Sequence, residues 1–165
     1  PLAEQYQDIR HKELGDLIDK PEWIGEDPDK GSFSKTAEHT LIPDLITIAN
    51  VNGEYQFIIF DAKYYNLVLE PDKSLRGQPG IESITKQYLY QLAYQPFVET
   101  HGIRTVKNCF LMPTAGNEVV AKGKVSLAML SNLHLQDIQI RLVPAKMVYQ
   151  HYLGNTKMDL HALML

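Results

Sequence analysis

Three charged side chains, Asp44, Asp61 and Lys63, stand inside stretches of the sequence, "IPDLITIA" and "YQFIIFDAK", that are otherwise apolar enough to form core strands. Burying an unpaired carboxylate or ammonium costs on the order of several kcal/mol, so buried charges are almost always paired or bound to metal. Side chains on a strand alternate between faces, which puts Asp61 and Lys63 on one side with Phe57 and Ile59, and Ile58, Phe60 and Ala62 on the other. With both faces apolar, the segment reads as a central strand covered on each side. A hairpin between the two stretches would bring Asp44 toward Asp61. Two convergent carboxylates repel each other unless a cation sits between them, and Mg²⁺ takes a few carboxylate oxygens together with water and substrate phosphate. The plainer expectation for the same residues is an Asp61–Lys63 ion pair at a strand end, with Asp44 an ordinary turn residue after Pro43.

The elements that must position these groups follow from periodicity and punctuation. "NVNGE" joins strand candidates over residues 40–49 and 55–63, and its Asn52-Gly53 signals a tight hairpin turn. Upstream, Leu2, Tyr6, Ile9, Leu14, Leu17 and Ile18 are spaced roughly as on an amphipathic helix broken near Gly15. "PEWIGEDPDKGSFSK" is dense in Pro, Gly, Asp and Ser and reads as a long loop, pinned by Trp23. A second loop over residues 69–80 leads into "IESITKQYLYQLAYQ", a predicted helix ending before Pro96. Ile84, Tyr88 and Leu92 mark its buried side, while Lys86, Gln87, Tyr90, Gln91 and Tyr94 share a polar and aromatic stripe from which Lys86 and Gln87 could reach a site or a phosphate. "NCFLMP", "KVSLAML" and "IQIRLV" are predicted strands, and "PAKMVYQHYLGN" a closing helix with Pro144 in its first turn and Gly154 as its cap. The result is a mixed α/β or α+β layer fold in one domain, residues 1–165.

Composition bounds the partners. With 165 residues and 44% hydrophobic content there is material for one real core, and no apolar run reaches the roughly 18 residues that cross a bilayer. The expectation is an intracellular, cytoplasmic protein with no membrane partner. A formal charge of −4 argues against a surface that holds nucleic acid by bulk electrostatics alone. The single cysteine, Cys109, cannot form an internal disulfide and reads as a small core residue, and the six histidines show no zinc-ligand spacing. His39, near Asp44, reads as a surface or hydrogen-bonded histidine. No phosphate-cradling GxxxxGK[ST] occurs, so nucleotide hydrolysis would need another chain.

Taken together, Pro43-Asp44, a sixteen-residue interval holding the hairpin turn, and then Asp61-Ala62-Lys63 after four hydrophobic residues resemble the bipartite signature of the PD-(D/E)xK nuclease superfamily. In order and wording, "TLIPDLI", "FIIFDAKYYN", "PGIESITKQYLYQLAYQPF", "NCFLMP" and "VYQHYL" resemble the LlaJI-type restriction endonucleases, which are similar in turn to the nuclease subunit of the McrBC system; these matches span residues 40–153. The resemblance implies an α/β fold with a mixed central sheet flanked by helices, and a Mg²⁺-dependent endonuclease of a restriction system that cuts double-stranded DNA, with Mn²⁺ able to substitute. It also implies a McrB-like nucleotide-hydrolysing motor subunit as a partner to look for; cutting both strands would favour two active sites and so a homodimer, and the start at Pro1 reads as the C-terminal part of a longer chain. By the same resemblance Asp44, Asp61 and the Ala62 carbonyl would hold the metal, Lys63 would orient a water and offset charge on the phosphate, and Gln87 would join them from its helix, although the Gln-to-Tyr spacing of four usual on that helix is absent. Members of the superfamily also use an N-terminal-helix glutamate, for which Glu4, Glu13, Glu38 or a residue upstream of Pro1 is available. Two alternatives stay open: a non-catalytic DNA- or protein-binding subunit with the same fold, and a repair or structure-specific nuclease.

Overall fold

The structure, a computed structural model, describes residues 4–9 and 11–165, with the side chains of residues 4 and 5 outside that description. Its centre is a five-stranded mixed sheet in the order β3-β4-β5-β7-β6, built from β3 (Leu45–Val51), β4 (Glu54–Ala62), β5 (Thr105–Thr114), β6 (Val120–Val125) and β7 (Ile138–Pro144). β3 and β4 form the expected antiparallel hairpin, closed by Asn52 and Gly53 at φ 54° and 88°, the pair of positive angles that matches the twist of the flanking strands. β3 opens at Leu45, later than the expected residue 40, because Pro43 has no N–H with which to continue the ladder.

A 20-residue helix, α1 (Ile81–Thr100), crosses over the sheet from β4 to β5, which pair in parallel, as do β5 and β7. Glu82 in its first turn complements the positive end of the helix dipole. The helix does not stop before Pro96 as expected. Proline costs it one backbone hydrogen bond, but Phe97 and Val98 just beyond are buried in the core, and their burial carries the helix a further turn.

α1 lies on the sheet face lined by Phe57 and Ile59, with Tyr90, Tyr94 and Phe97 filling the space between. The buried side of α1 is therefore the stripe carrying Gln87, Tyr90 and Tyr94, joined by Tyr88; of the residues expected there, Ile84 and Leu92 are only partly buried. The opposite sheet face, Ile58, Phe60, Cys109 and Val143, is covered by the C-terminal segment through Leu163, with Met158, Leu160 and Leu165 around it. Arg141 holds that segment in place, donating through Nε to the Leu163 carbonyl and through Nη2 to that of Met164, each at 2.7 Å.

Elsewhere the structure departs from the sequence reading in three places. The N-terminal stretch forms 3-10 turns at Glu4–Ile9 and Leu14–Asp16 rather than one amphipathic helix; Leu2 and Arg10 lie outside the described residues. The five-residue gap from Ile9 to Leu14 breaks the apolar stripe, and the chain instead wraps the core, inserting Tyr6 against Tyr55. The expected loop at 21–35 is a β-hairpin, β1 (Glu22–Asp27) and β2 (Gly31–Thr36), whose turn is held by the Asp27 carboxylate accepting the backbone N–H groups of Asp29 and Lys30, both at 2.9 Å. Trp23 stands 71% exposed on β1 and pins nothing. Finally, "KVSLAML" is strand only through Val125, and Ala128–Leu133 is a 3-10 helix. The closing helix, α2 (Ala145–Leu153), is capped by Gly154 as expected, while Pro144, expected in its first turn, ends β7 and stands at the N-cap.

Candidate functional site

The C-terminal end of β4, flanked by the entry to β3 on one side and β5 on the other, carries the charged residues. Continuing the β3–β4 register one step beyond Leu45–Phe60 sets Asp44 opposite Asp61. Asp44 is exposed, and its Oδ2 accepts the backbone N–H of Ala62 at 2.7 Å, so the carboxylate is folded onto the end of β4. In an extended strand the N–H and C=O of one residue point the same way, so the Ala62 carbonyl faces the Asp44 side as well. There the register brings Pro43, which has no N–H to offer it. Pro-Asp thus ends the ladder, satisfies one backbone group with a side chain and leaves the Ala62 carbonyl without a ladder donor on the Asp44 side.

Asp61 is 4% exposed and lies on the α1 face of the sheet. Lys63 donates to its Oδ2 in an ion pair, which is how a core strand tolerates the carboxylate. The lysine is fixed in turn: its backbone N–H donates to the Leu111 carbonyl at 2.8 Å, and its ammonium lies 5.6 Å from the centroid of the Phe110 ring. Of the two sequence expectations for Asp61 and Lys63, the structural ion pair at a strand end is present.

Gln87 lies deeper. It is fully buried, with Nε2 donating to the Ile59 carbonyl at 3.1 Å and to Asn108 Oδ1 at 3.4 Å, two residues below Asp61 on the same strand. Asn108 passes the network on, donating to Gln91 Oε1 at 2.7 Å and to the Gln136 carbonyl at 3.2 Å. This chain of amides seats α1 on β4 and β5. Sequence inspection singled out Gln87 and Gln91, one helical turn apart, but not Asn108 or Gln136. Tyr90 is the other contributor that the sequence left unassigned: buried, it donates its hydroxyl to the Ile42 carbonyl at 2.8 Å, tying α1 to the segment that delivers Asp44.

Of the glutamates considered as further ligands, Glu13 and Glu38 are exposed and outside this cluster, the former in the turn where its N–H donates to Asp16 at 3.2 Å; the side chain of Glu4 lies outside the described residues. His39 is exposed. Among the described residues there is no group of three or more His, Cys, Asp and Glu placed to hold a metal. What the site offers is two carboxylates and a peptide oxygen, too few anionic donors for an all-protein cage but a donor set that suits Mg²⁺, which keeps several waters and takes substrate phosphate. No helix among the described residues is long and apolar enough to cross a membrane.

Residues 6–148 match the LlaJI restriction endonuclease family. The chain is also similar to the type II restriction enzyme BsuMI component YdjA of Bacillus subtilis (strain 168), 34% identical over 141 residues, which is 84% of this chain and 28% of that protein. The chain therefore spans under a third of the relative's length. No solved structure matches.

Proposed function

The chain belongs to the LlaJI restriction endonuclease family, and from that premise we propose that it is a Mg²⁺-dependent PD-(D/E)xK nuclease domain that hydrolyses phosphodiester bonds of double-stranded DNA in a cytoplasmic restriction system. The observation that carries this reading is the meeting of Asp44, Asp61 and Lys63 at one strand end, with Asp44 bonded to the backbone of Ala62 and Lys63 paired with Asp61.

Asp44, Asp61 and the Ala62 carbonyl would hold the divalent ion, which when bound polarises the scissile phosphate and lowers the pKa of a bound water. The protein's own groups do the rest. Lys63, fixed by Asp61 and by the Phe110 ring, keeps a positive charge beside the place where negative charge builds on the phosphate, help of a kind worth about 3 kcal/mol. The Gln87–Asn108 network keeps β4 and β5 in register beneath the acids, so Gln87 acts by positioning. The relative's designation as a component supports a system in which other subunits join the cut, a motor subunit or a second copy of the chain among them.

The test is cleavage of supercoiled plasmid by the purified protein, alone and with the other components of its restriction system, in Mg²⁺, in Mn²⁺ and in EDTA. Cleavage dependent on either divalent ion and lost in Asp61→Ala is the expected result. Cleavage that persists undiminished in the folded Asp61→Ala protein defeats the assignment.

A further inference from the structure

A second lysine, Lys86, stands on α1 next to the residue that bonds β4 just below Asp61, and its role rests on the nuclease reading of the acid pair. Lys86 lies in the N-terminal third of α1, next to the buried Gln87, and is itself exposed. Its ammonium sits 5.5 Å from the centroid of the Tyr90 ring and interacts with the charges of both Asp61 and Asp44. Tyr90 is 1% exposed and anchored through its hydroxyl to the Ile42 carbonyl, so one rigid aromatic supports the lysine and also the segment that delivers Asp44 two residues later. Lys63 is committed to Asp61, whereas Lys86 makes no carboxylate ion pair within 4 Å among the described residues. Hydrogen bonding with Tyr90 above all, and more weakly the two aspartates, raises its pKa above the ordinary lysine value, so the charge is present at every working pH.

A polyanionic substrate must approach two carboxylates, of which Lys63 offsets one. A second cation that is exposed, oriented and free of a carboxylate partner supplies what that approach lacks, and an ammonium on a flexible stem suits a phosphate oxygen as a point charge. We infer that Lys86 is a substrate-binding residue of this site, its ammonium taking a non-bridging oxygen of a DNA backbone phosphate on the strand presented to Asp44 and Asp61, with Tyr90 as its platform. The contact is to phosphate and carries no base specificity.

The experiment separates this inference from the nuclease reading by measuring binding without cleavage. The protein is titrated with a fluorescently labelled DNA duplex in EDTA over a range of salt concentrations, as wild type, Lys86→Ala, Lys86→Arg and, as a surface control, Lys157→Ala. Neutralising one phosphate fewer should make the slope of log K against log salt shallower by about one in Lys86→Ala. Affinity should fall several-fold at low salt, Lys86→Arg should restore most of it, and Lys157→Ala should match wild type. In Mg²⁺, Lys86→Ala should raise KM for DNA while kcat stays within a few-fold. An unchanged salt slope in Lys86→Ala, whether or not its thermal stability falls, overturns the inference and leaves Lys86 a packing partner of Tyr90; so does wild-type protein that binds no duplex. Loss of the nuclease reading shows separately, as plasmid cleavage indifferent to Asp61→Ala.

Discussion

A carboxylate that is 4% exposed is kept by its partner, and among the described residues Asp61 forms its ion pair with Lys63, itself largely covered. Removing one member of a buried pair leaves the other's desolvation uncompensated, whereas removing both can be nearly neutral. Lys63→Met should therefore lower stability by about 2 to 4 kcal/mol, and Asp61→Leu with Lys63→Met should recover at least half of that loss. Chemical denaturation of the two single variants and the double variant checks this. If the double variant loses the sum of the two single losses, the ion pair is not what makes Asp61 tolerable. That so much of the site was legible in sequence follows from the same cost: acids and a lysine in apolar strands advertise themselves because few other arrangements accept them. Gln87 and Tyr90 give no such signal. An amide or a phenol is unremarkable on a helix, and which of its faces meets the sheet is decided by packing against Phe57 and Ile59, residues distant in the sequence.

At the scale of elements, the hairpin β3–β4 was readable because Asn52-Gly53 demands positive φ that few other residue pairs supply, and the helix of α1 because a run of fifteen residues free of Gly and Pro follows Gly80. The hairpin β1–β2 was hidden by its own turn chemistry: Pro, Gly, Asp and Ser describe the turn and the edges of a ribbon exposed on both faces, with no apolar alternation to betray strands. The extension of α1 past Pro96 was hidden because local propensity was overruled by the burial of Phe97 and Val98. One connection bears on the site directly. The loop from Tyr64 to Gly80 leaves β4 immediately after Lys63 and is closed by the Val68–Arg76 bridge, with backbone hydrogen bonds of 2.9 and 3.3 Å. Just beyond, Gly77 has φ 60°, and a Cβ there would lie 2.1 Å from the backbone oxygen of Asn66, which no side-chain rotation can relieve. Gly77→Ala should cost about 1 to 3 kcal/mol and loosen the path out of Lys63. The measurable consequence is faster proteolysis within residues 64–80 and, on the proposed nuclease reading, loss of DNA cleavage; a variant as stable and as resistant as wild type would mean that the loop tolerates another closure.

On the scale of the whole molecule, the sheet joins segments far apart in sequence, with β4, β5 and β7 running parallel and pairing across α1 and the β6 excursion. Cys109 sits in the middle of this arrangement, between Phe60 and Gln139 in register, and is 0% exposed. Burial pushes its thiol up to about 12, opposed only in part by the positive charge of Arg141. An unfolded cysteine ionises near pH 8.5. Between that pH and about 12 the folded chain keeps a proton that the unfolded chain has lost, so stability falls as pH rises through this window, by at most about 1.4 kcal/mol per pH unit from this group, and is unaffected by it below. Replacing Cys109 with Ala removes that slope, and comparing the two proteins' denaturation midpoints at pH 7 and pH 10 isolates it. The same burial makes the thiol a reporter of cooperativity. Cys109 faces the side of the sheet that the C-terminal segment covers, and the buried Arg141 holds that segment through the Leu163 and Met164 carbonyls, so a labelling reagent should see the thiol only when this cover comes away with the rest of the fold. The free energy of opening derived from thiol labelling should equal that of equilibrium unfolding and fall with denaturant at the same slope. A smaller opening energy with a shallow slope would show the C-terminal segment lifting on its own while the sheet beneath it stays paired.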